Sequence, residues 1–417
     1  MNLTPDGIPL KPSSTGLDCM EEKPLRVNRV LLATGFTQMF GDSLNNRFNN
    51  LLVASAGASV GQMGFLQGAR TLGNNLTQLV FGRLADRWGK RVFVSTGRLL
   101  NAAAIAGLLF TREPTTLIAL VVLSSFFNSM AIPAWNSLVG DYTEESTRGR
   151  VLGAVNSMSQ LGSFAAMAVA VALSLGQEGA TTVESYRVVL SLAAGACLAS
   201  GLMVWLTEEK PPAPRKEKLD FRKVAEDHRL TRYLALNFLY GVGMSFAWPL
   251  FPMVITHRLG LKLWQIGALS LTSSLVGALT QRGIGRFMDK QGRKPVVIAS
   301  RVTMAVAPLT YALATQWWHI ALGELFLGLG MAAWMSSEST YMIDLAPPGL
   351  RATYLASSTA AFGVASFLGS NLGGHIIETY LNGLEGLNTG LYISSLLRAL
   401  FGLAYLLAHE SRTPETN

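Results

Sequence analysis

The run Gly82-Arg83-Leu84-Ala85-Asp86-Arg87-Trp88-Gly89-Lys90-Arg91 comes back, degenerate but in register, as Gly285-Arg286-Phe287-Met288-Asp289-Lys290-Gln291-Gly292-Arg293-Lys294. Gly82 and Gly285 lie 203 residues apart (285 less 82), and the same shift carries Gln78 onto Gln281, Asp86 onto Asp289 and Arg98 onto Arg301. It also carries Asp141 onto Asp344 and Arg148 onto Arg351. A constant offset over most of a half-chain is an internal duplication. It restricts the chain to folds built as two copies of one unit, and each copy of the repeated turn is squeezed between two long apolar runs.

A membrane-spanning helix needs about twenty mostly apolar residues, because the hydrocarbon core is about 30 Å thick and each residue rises 1.5 Å. On that ruler there are twelve candidate spans, the first near 30–56 and the last near 387–408. They must be helices, since lipid offers no partner for backbone N–H and C=O groups. The expected organisation is a tail over 1–29, a six-helix bundle over 30–207, a linker over 208–230, a second bundle over 231–408 and a tail over 409–417. The linker opens Glu208-Glu209-Lys210-Pro211-Pro212, charged and proline-rich, and is too short to fold as a domain.

Composition agrees with lipid rather than water. Charged residues make up 14% of the chain, against roughly 25% in an average soluble protein, and the mean hydropathy is +0.32. Cys19 and Cys197 make no disulfide framework and show no metal-ligand spacing, so neither metal nor cofactor is expected. No cleavable signal peptide is evident in the polar residues 1–29. Most Lys and Arg residues fall in the tails, the linker and the even-to-odd loops, while Arg112, Arg187, Arg258 and Lys262 flank the other side. Both termini are therefore expected in the cytoplasm, with the protein in the cell membrane. The formal charge of +8 follows from this asymmetry and sets the basic loops against anionic lipid headgroups. No basic stripe with interleaved aromatics occurs, so nucleic acid is not an expected partner.

The repeated turn closely resembles the loop signature of the major facilitator superfamily, Gly-x-Leu-Ala-Asp-Arg-x-Gly-Arg-Lys, between its second and third transmembrane helices. The first copy matches at nearly every position; the second keeps its glycines, Asp289 and the basic end. The resemblance covers residues 25 to about 408. It implies an all-α membrane protein of twelve transmembrane helices in two pseudo-symmetric six-helix bundles, acting as a monomeric secondary transporter. It further implies a cytoplasmic gate at Gly82, Asp86, Arg87, Gly89, Lys90 and Arg148, duplicated at Gly285, Asp289, Gly292, Arg293 and Arg351. Asp86 would then touch the N-terminus of the eleventh helix at Pro347-Pro348-Gly349-Leu350-Arg351, where exposed N–H groups favour a carboxylate. By the duplication, Asp289 would hold the start of the fifth helix near Ser146 to Arg150. Gly369-Ser370-Asn371-Leu372-Gly373-Gly374 resembles the end of the drug/proton antiporter motif, Gly-Pro-x-x-Gly-Gly, which normally belongs to the fifth helix. There this chain has Ala166-Met167-Ala168-Val169-Ala170 instead.

Within the first predicted helix, Gln38, Asp42, Asn45, Asn46 and Asn49 share an arc of about 100°. A polar stripe in lipid faces protein or a water-filled cavity. The second helix carries Gln67, Arg70, Asn74 and Gln78 on one face, with Arg70 at the depth of Asp42, roughly 18 Å from the helix ends. An Asp42–Arg70 pair is expected, either coupling to a proton or fixing helix registry, while Arg47 snorkels away. Further contacts are expected for Arg98–Asp141 and Arg301–Asp344 at the gate. Glu324 and Glu338 in the tenth helix join Asp42 and Arg70 as proton-coupling candidates. The resemblance places the first, fourth, seventh and tenth helices around the central cavity. It thereby adds Asn128, Trp135, Asn136, Asn237, Tyr240, Met244, Trp248, Met331 and Trp334 to its lining.

Large aromatics, methionines, amides and two carboxylates make an amphipathic lining. The expected function is proton-coupled export of an amphiphilic small molecule by alternating access. Uptake or lipid movement by the same fold, and a non-transporting sensor, are the alternatives. No Ser/His/Asp, metal or P-loop arrangement points to an enzyme, and His228, His257, His319, His375 and His409 are scattered.

Overall fold

The computed structural model describes residues 29–143, 148–174, 183–210, 226–347 and 350–410. Within them the chain forms twelve long helical segments: α1 Arg29–Ser55, α2 Val60–Trp88, α3 Lys90–Gly107, α4 Pro114–Gly140, α5 Arg148–Ser174, α6 Val183–Leu206, α7 His228–Arg258, α8 Leu263–Gln291, α9 Lys294–Leu313, α10 Trp317–Leu345, α11 Arg351–Tyr380 and α12 Leu387–Leu407. No strand occurs among the described residues. Helices α4 to α12 are long and apolar enough to cross a membrane. Helices α1 to α3 carry amides and charges such as Asp42, Asn45, Arg70, Asn74 and Arg98, and those residues dilute their apolar character. The expected twelve-helix membrane fold is therefore what the chain adopts. Most of the linker and both tails lie outside the described residues.

Packing repeats from one half of the sequence to the other. Helix α1 packs on α5 and α6, α3 on α4 and α6, and α2 on α4; α7 packs on α11 and α12, α9 on α10 and α12, and α8 on α10. The two sets meet chiefly along α2–α11 and α5–α8. Glycine permits the first of these seams: a Cβ on Gly64 would lie 2.6 Å from the Ser370 carbonyl oxygen, and one on Gly374 would lie 2.8 Å from that of Val60. Small residues let backbones approach this closely without losing van der Waals contact.

Local chemistry fixes the helix ends. Ser59 Oγ accepts from Gln62 N–H, while Gln62 Oε1 accepts from Ser59 N–H, a capping box that starts α2. The repeated signature is mostly helix rather than loop. Gly82–Trp88 are the last turns of α2 and Gly285–Gln291 those of α8, leaving Gly89 and Gly292 as one- and two-residue joints. Both have positive φ, +102° and +90°, a conformation that glycine alone adopts without strain.

Candidate functional site

The face of the molecule where α1 begins and α12 ends is called the near face, and the opposite one the far face. Between α1, α2, α4 and α5 lies a cavity of about 370 Å³. Its walls include Gln38, Asp42, Asn45 and Asn46 from α1, Arg70 and Asn74 from α2, Asn128, Trp135 and Asn136 from α4, and Asn156 and Ser159 from α5. Nine residues expected at a substrate cavity or its coupling site are thus brought together. Asn156, Ser159 and Ser125 join them without having been singled out, although Asn156 and Ser159 lie three apart on α5 and so share a face.

Asp42 is held by Arg98, not by Arg70. The guanidinium of Arg98 donates from Nη1 and Nη2 to the two carboxylate oxygens at 2.5 and 2.9 Å, with Arg98 fully buried. The expected Asp42–Arg70 pair fails for a geometric reason. Arg98 begins only eight residues, roughly 12 Å, into α3, but its long side chain extends the reach to Asp42, and a planar fork meets a carboxylate with two parallel bonds. Arg70 instead donates to the neutral amide oxygens of Asn46 and, at 3.4 Å, Asn49. From there a chain of donors runs inward: Asn49 to Asn45, Asn45 to Ser124, Ser124 to Asn101 and Asn101 to the Cys197 sulfur. Ser124 and Asn101 were not foreseen; each is fully buried, and a buried polar group needs a partner.

The second half has its own buried arginine pair. Arg301 Nη2 lies 2.5 Å from the Glu338 carboxylate, which also accepts from the Tyr233 hydroxyl and, at 2.6 Å, from Ser358 Oγ. The Arg301 guanidinium is further stacked near the rings of Tyr405, Tyr240 and Trp334. Arg98 and Arg301 were expected at the gate, bonded to Asp141 and Asp344. Each instead bonds a carboxylate of another helix, Arg98 to Asp42 of α1 and Arg301 to Glu338 of α10. Asn237, Tyr240 and Met244 are buried among the second set of helices, whereas Trp248 and Trp334 pack on Phe362. None of these five, nor Met331, Gln67 or Asn49, lines the polar cavity.

Near the near face, duplication reappears with different partners. Lys90 Nζ pairs with Asp141 at 2.5 Å, and Arg293, its counterpart, with Asp344 at 3.0 Å. Glu209 accepts from the backbone N–H of Arg91, and Glu410 from those of Arg293 and Lys294, so a carboxylate caps the start of α3 and of α9. Asp86 is buried and accepts from Ser137 of α4, while Asp289 is largely exposed and pairs with Arg293 of its own half. Arg87 and Arg351 are exposed. Pro348, Gly349, Ser146 and the Arg148 side chain, on which the two expected clamps depend, lie outside the described residues.

On the far face the two sets of helices are tied. Glu378 of α11 accepts from Gly61 N–H at the start of α2, Ser370 Oγ donates to the Gly64 carbonyl, and His257 meets the Ala54 carbonyl. Arg47 does not snorkel outward. It lies 3.7 Å from Glu324 of α10, a buried carboxylate that also accepts from the Tyr311 hydroxyl.

The Major Facilitator Superfamily family model matches residues 31–231 and 233–417. The chain belongs to the major facilitator superfamily. Among proteins similar to this facilitator, an uncharacterized MFS-type transporter, YhjO, of Bacillus subtilis is 22% identical over 72% of this chain and 74% of its own. Multidrug resistance protein MdtH of Aeromonas salmonicida is 23% identical over 79% of this chain and 82% of its own. A crystal structure of a mutant of the nucleoside transporter NupG superposes with a TM-score of 0.78 at 14% identity, covering 91% of this facilitator and 99% of that chain. This facilitator is thus a multi-pass membrane transporter and not an enzyme, with the family's small-molecule substrates.

Proposed function

We propose that the chain moves a small amphiphilic molecule across the cell membrane by alternating access, coupled to protons, with residues 30–207 and 231–408 rocking as two bundles. The observation that carries this reading is Asp42. It forms part of the cavity wall and at the same time neutralises the fully buried Arg98. A proton taken from the cavity by Asp42 leaves Arg98 without a counter-charge in a low-dielectric site, which costs several kcal/mol unless the helices rearrange. Proton arrival and rearrangement are thereby linked. Glu338 is the weaker candidate, because Arg301, Tyr233 and Ser358 all donate to it from within its own set of helices.

The direction we propose is export, on the likeness to a multidrug resistance protein. Uptake together with a proton is the second reading, and the unpaired Arg70 favours it. The test is flux in proteoliposomes under an imposed pH gradient of either sign, with a panel of aromatic cations, anions and neutral solutes. Proton movement evoked by at least one of them, and abolished in Asp42→Asn, is expected. Solute flux with the same rate and pH dependence in the variant removes Asp42 from the mechanism.

A further inference from the structure

We propose that Arg70 is the anchor for an anionic group on the cargo, so that the transported molecule is an organic anion, a carboxylate or a phosphate ester. The inference rests on the transporter reading and narrows its substrate. The charges around the cavity carry it. Of the described residues that form its walls, only Asp42 and Arg70 are charged. Asp42 is already neutralised from behind by the bidentate Arg98, which leaves the positive charge of Arg70 unmatched.

Among the described residues no carboxylate lies within ion-pair distance of Arg70; its two bonded acceptors are the neutral oxygens of Asn46 and Asn49. An ionised group in a membrane interior with only amide partners is expensive, and such residues mark substrate or ion pathways. A guanidinium offers five donors in a planar fork suited to carboxylate and phosphate oxygens. Two of its bonds here go to amides on one helix, so further donor capacity remains for a ligand in the adjoining space.

A second, independent feature points to a ligand with hydrogen-bond donors. Gln38, 7% exposed, forms part of the same cavity, and its Oε1 is buried with no partner; Asn128 Oδ1 is in the same condition. A buried acceptor left unmade costs about 1–3 kcal/mol; both oxygens are closed off from the cavity, so a ligand O–H or N–H satisfies them once the amides turn towards it. The complement of this site is a molecule with an anionic head and at least one hydroxyl or amine. A lipophilic cation would set its charge against Arg70.

The test is binding of four probes with one ring and different heads to the purified full-length chain in detergent: benzoate, phenyl phosphate, benzylamine and benzyl alcohol. Benzoate or phenyl phosphate is expected to bind, with the stronger of the two identifying the head, and Arg70→Gln is expected to weaken it at least about tenfold. Arg70→Lys, which keeps the charge without the fork, should retain part of the affinity and serves if Arg70→Gln does not fold. Gln38→Met should erase any advantage of 4-hydroxybenzoate over benzoate. Benzylamine binding as tightly as the anions, no anion binding, or anion affinity unchanged in Arg70→Gln overturns the proposal. Proton flux evoked by benzylamine alone sinks the anion site and spares the transporter. Arg70-dependent anion binding without flux of any solute does the reverse.

Discussion

Two arginines related by the duplication, Arg98 and Arg301, are each almost wholly removed from solvent and each hold a carboxylate from a non-equivalent helix. Asp42 belongs to α1, where the second copy has Ser245; Glu338 belongs to α10, where the first copy has Trp135. The duplication has kept the cation and moved its partner. Breaking such a pair from one side leaves a lone buried charge and costs about 3–5 kcal/mol, whereas replacing both groups is far milder. Arg98→Gln and Asp42→Asn alone should therefore each lower the thermal unfolding temperature more than the double variant does, measured in detergent. A double variant at least as unstable as the sum of the singles would show that the two residues do not compensate each other. The cation–carboxylate pairing was only half legible in the chain. Helical periodicity placed Asp42 on a polar face and at mid-depth, since it depends on backbone spacing alone. The partner depended on side-chain reach, and a guanidinium extends several ångströms beyond the Cα level from which depth was counted. Arg47 was misjudged for the same reason, its tip meeting Glu324 across the seam.

The α2–α11 seam is where glycine decides how helices can sit. Gly374 of α11 lies against Val60 and Gly61 of α2, and Gly64 against Ser370 and Gly374. Gly369 and Gly373 of the same stretch lie instead against α7, where a Cβ would press on the Val242 and Phe246 carbonyls. The glycine run was visible in the sequence, and its helix was right. Which neighbour each glycine admits was not visible, because that follows from the rotation of α11 about its axis, set by contacts remote in sequence. A branched side chain at the seam forces backbones apart at the far face and leaves the intrabundle α7–α11 packing untouched. Gly374→Val is thus expected to lengthen spin-label distances across the far face between α2 and α11. Gly373→Val, pressing within one bundle, should lower the unfolding temperature without that lengthening. Equal distances in Gly374→Val and the parent chain would remove the glycine seam from the account of closure. The joints are a separate matter: Gly89, at φ +102°, should cost about 1–2 kcal/mol when replaced by alanine, read as a loss in unfolding temperature.

At the scale of the molecule, the sign of coupling follows from charge. With Asp42 ionised, the pocket holds one unmatched cation, Arg70; with Asp42 protonated, Arg98 loses its counter-charge and the local positive charge rises by one. An anion arriving at Arg70 therefore binds better after Asp42 has taken a proton, and a proton binds better once the anion is present, as linkage requires. A cation behaves oppositely, competing with the proton. Cooperative binding puts proton and cargo on the same bundle movement in the same direction, whereas competition sends them in opposite directions. An anionic cargo thus predicts that an inward proton gradient drives uptake into proteoliposomes, and a cationic one that it drives efflux. For the anion that Arg70 selects, the second reading, uptake with a proton, therefore replaces export: anion accumulation when the outside is acidic, with accompanying alkalinisation outside, is the expected result, lost in Asp42→Asn and weakened in Arg70→Gln. Counterflow of anion against protons, under the same gradient and still dependent on Arg70, would mean that Asp42 and Arg70 do not share one electrostatic site.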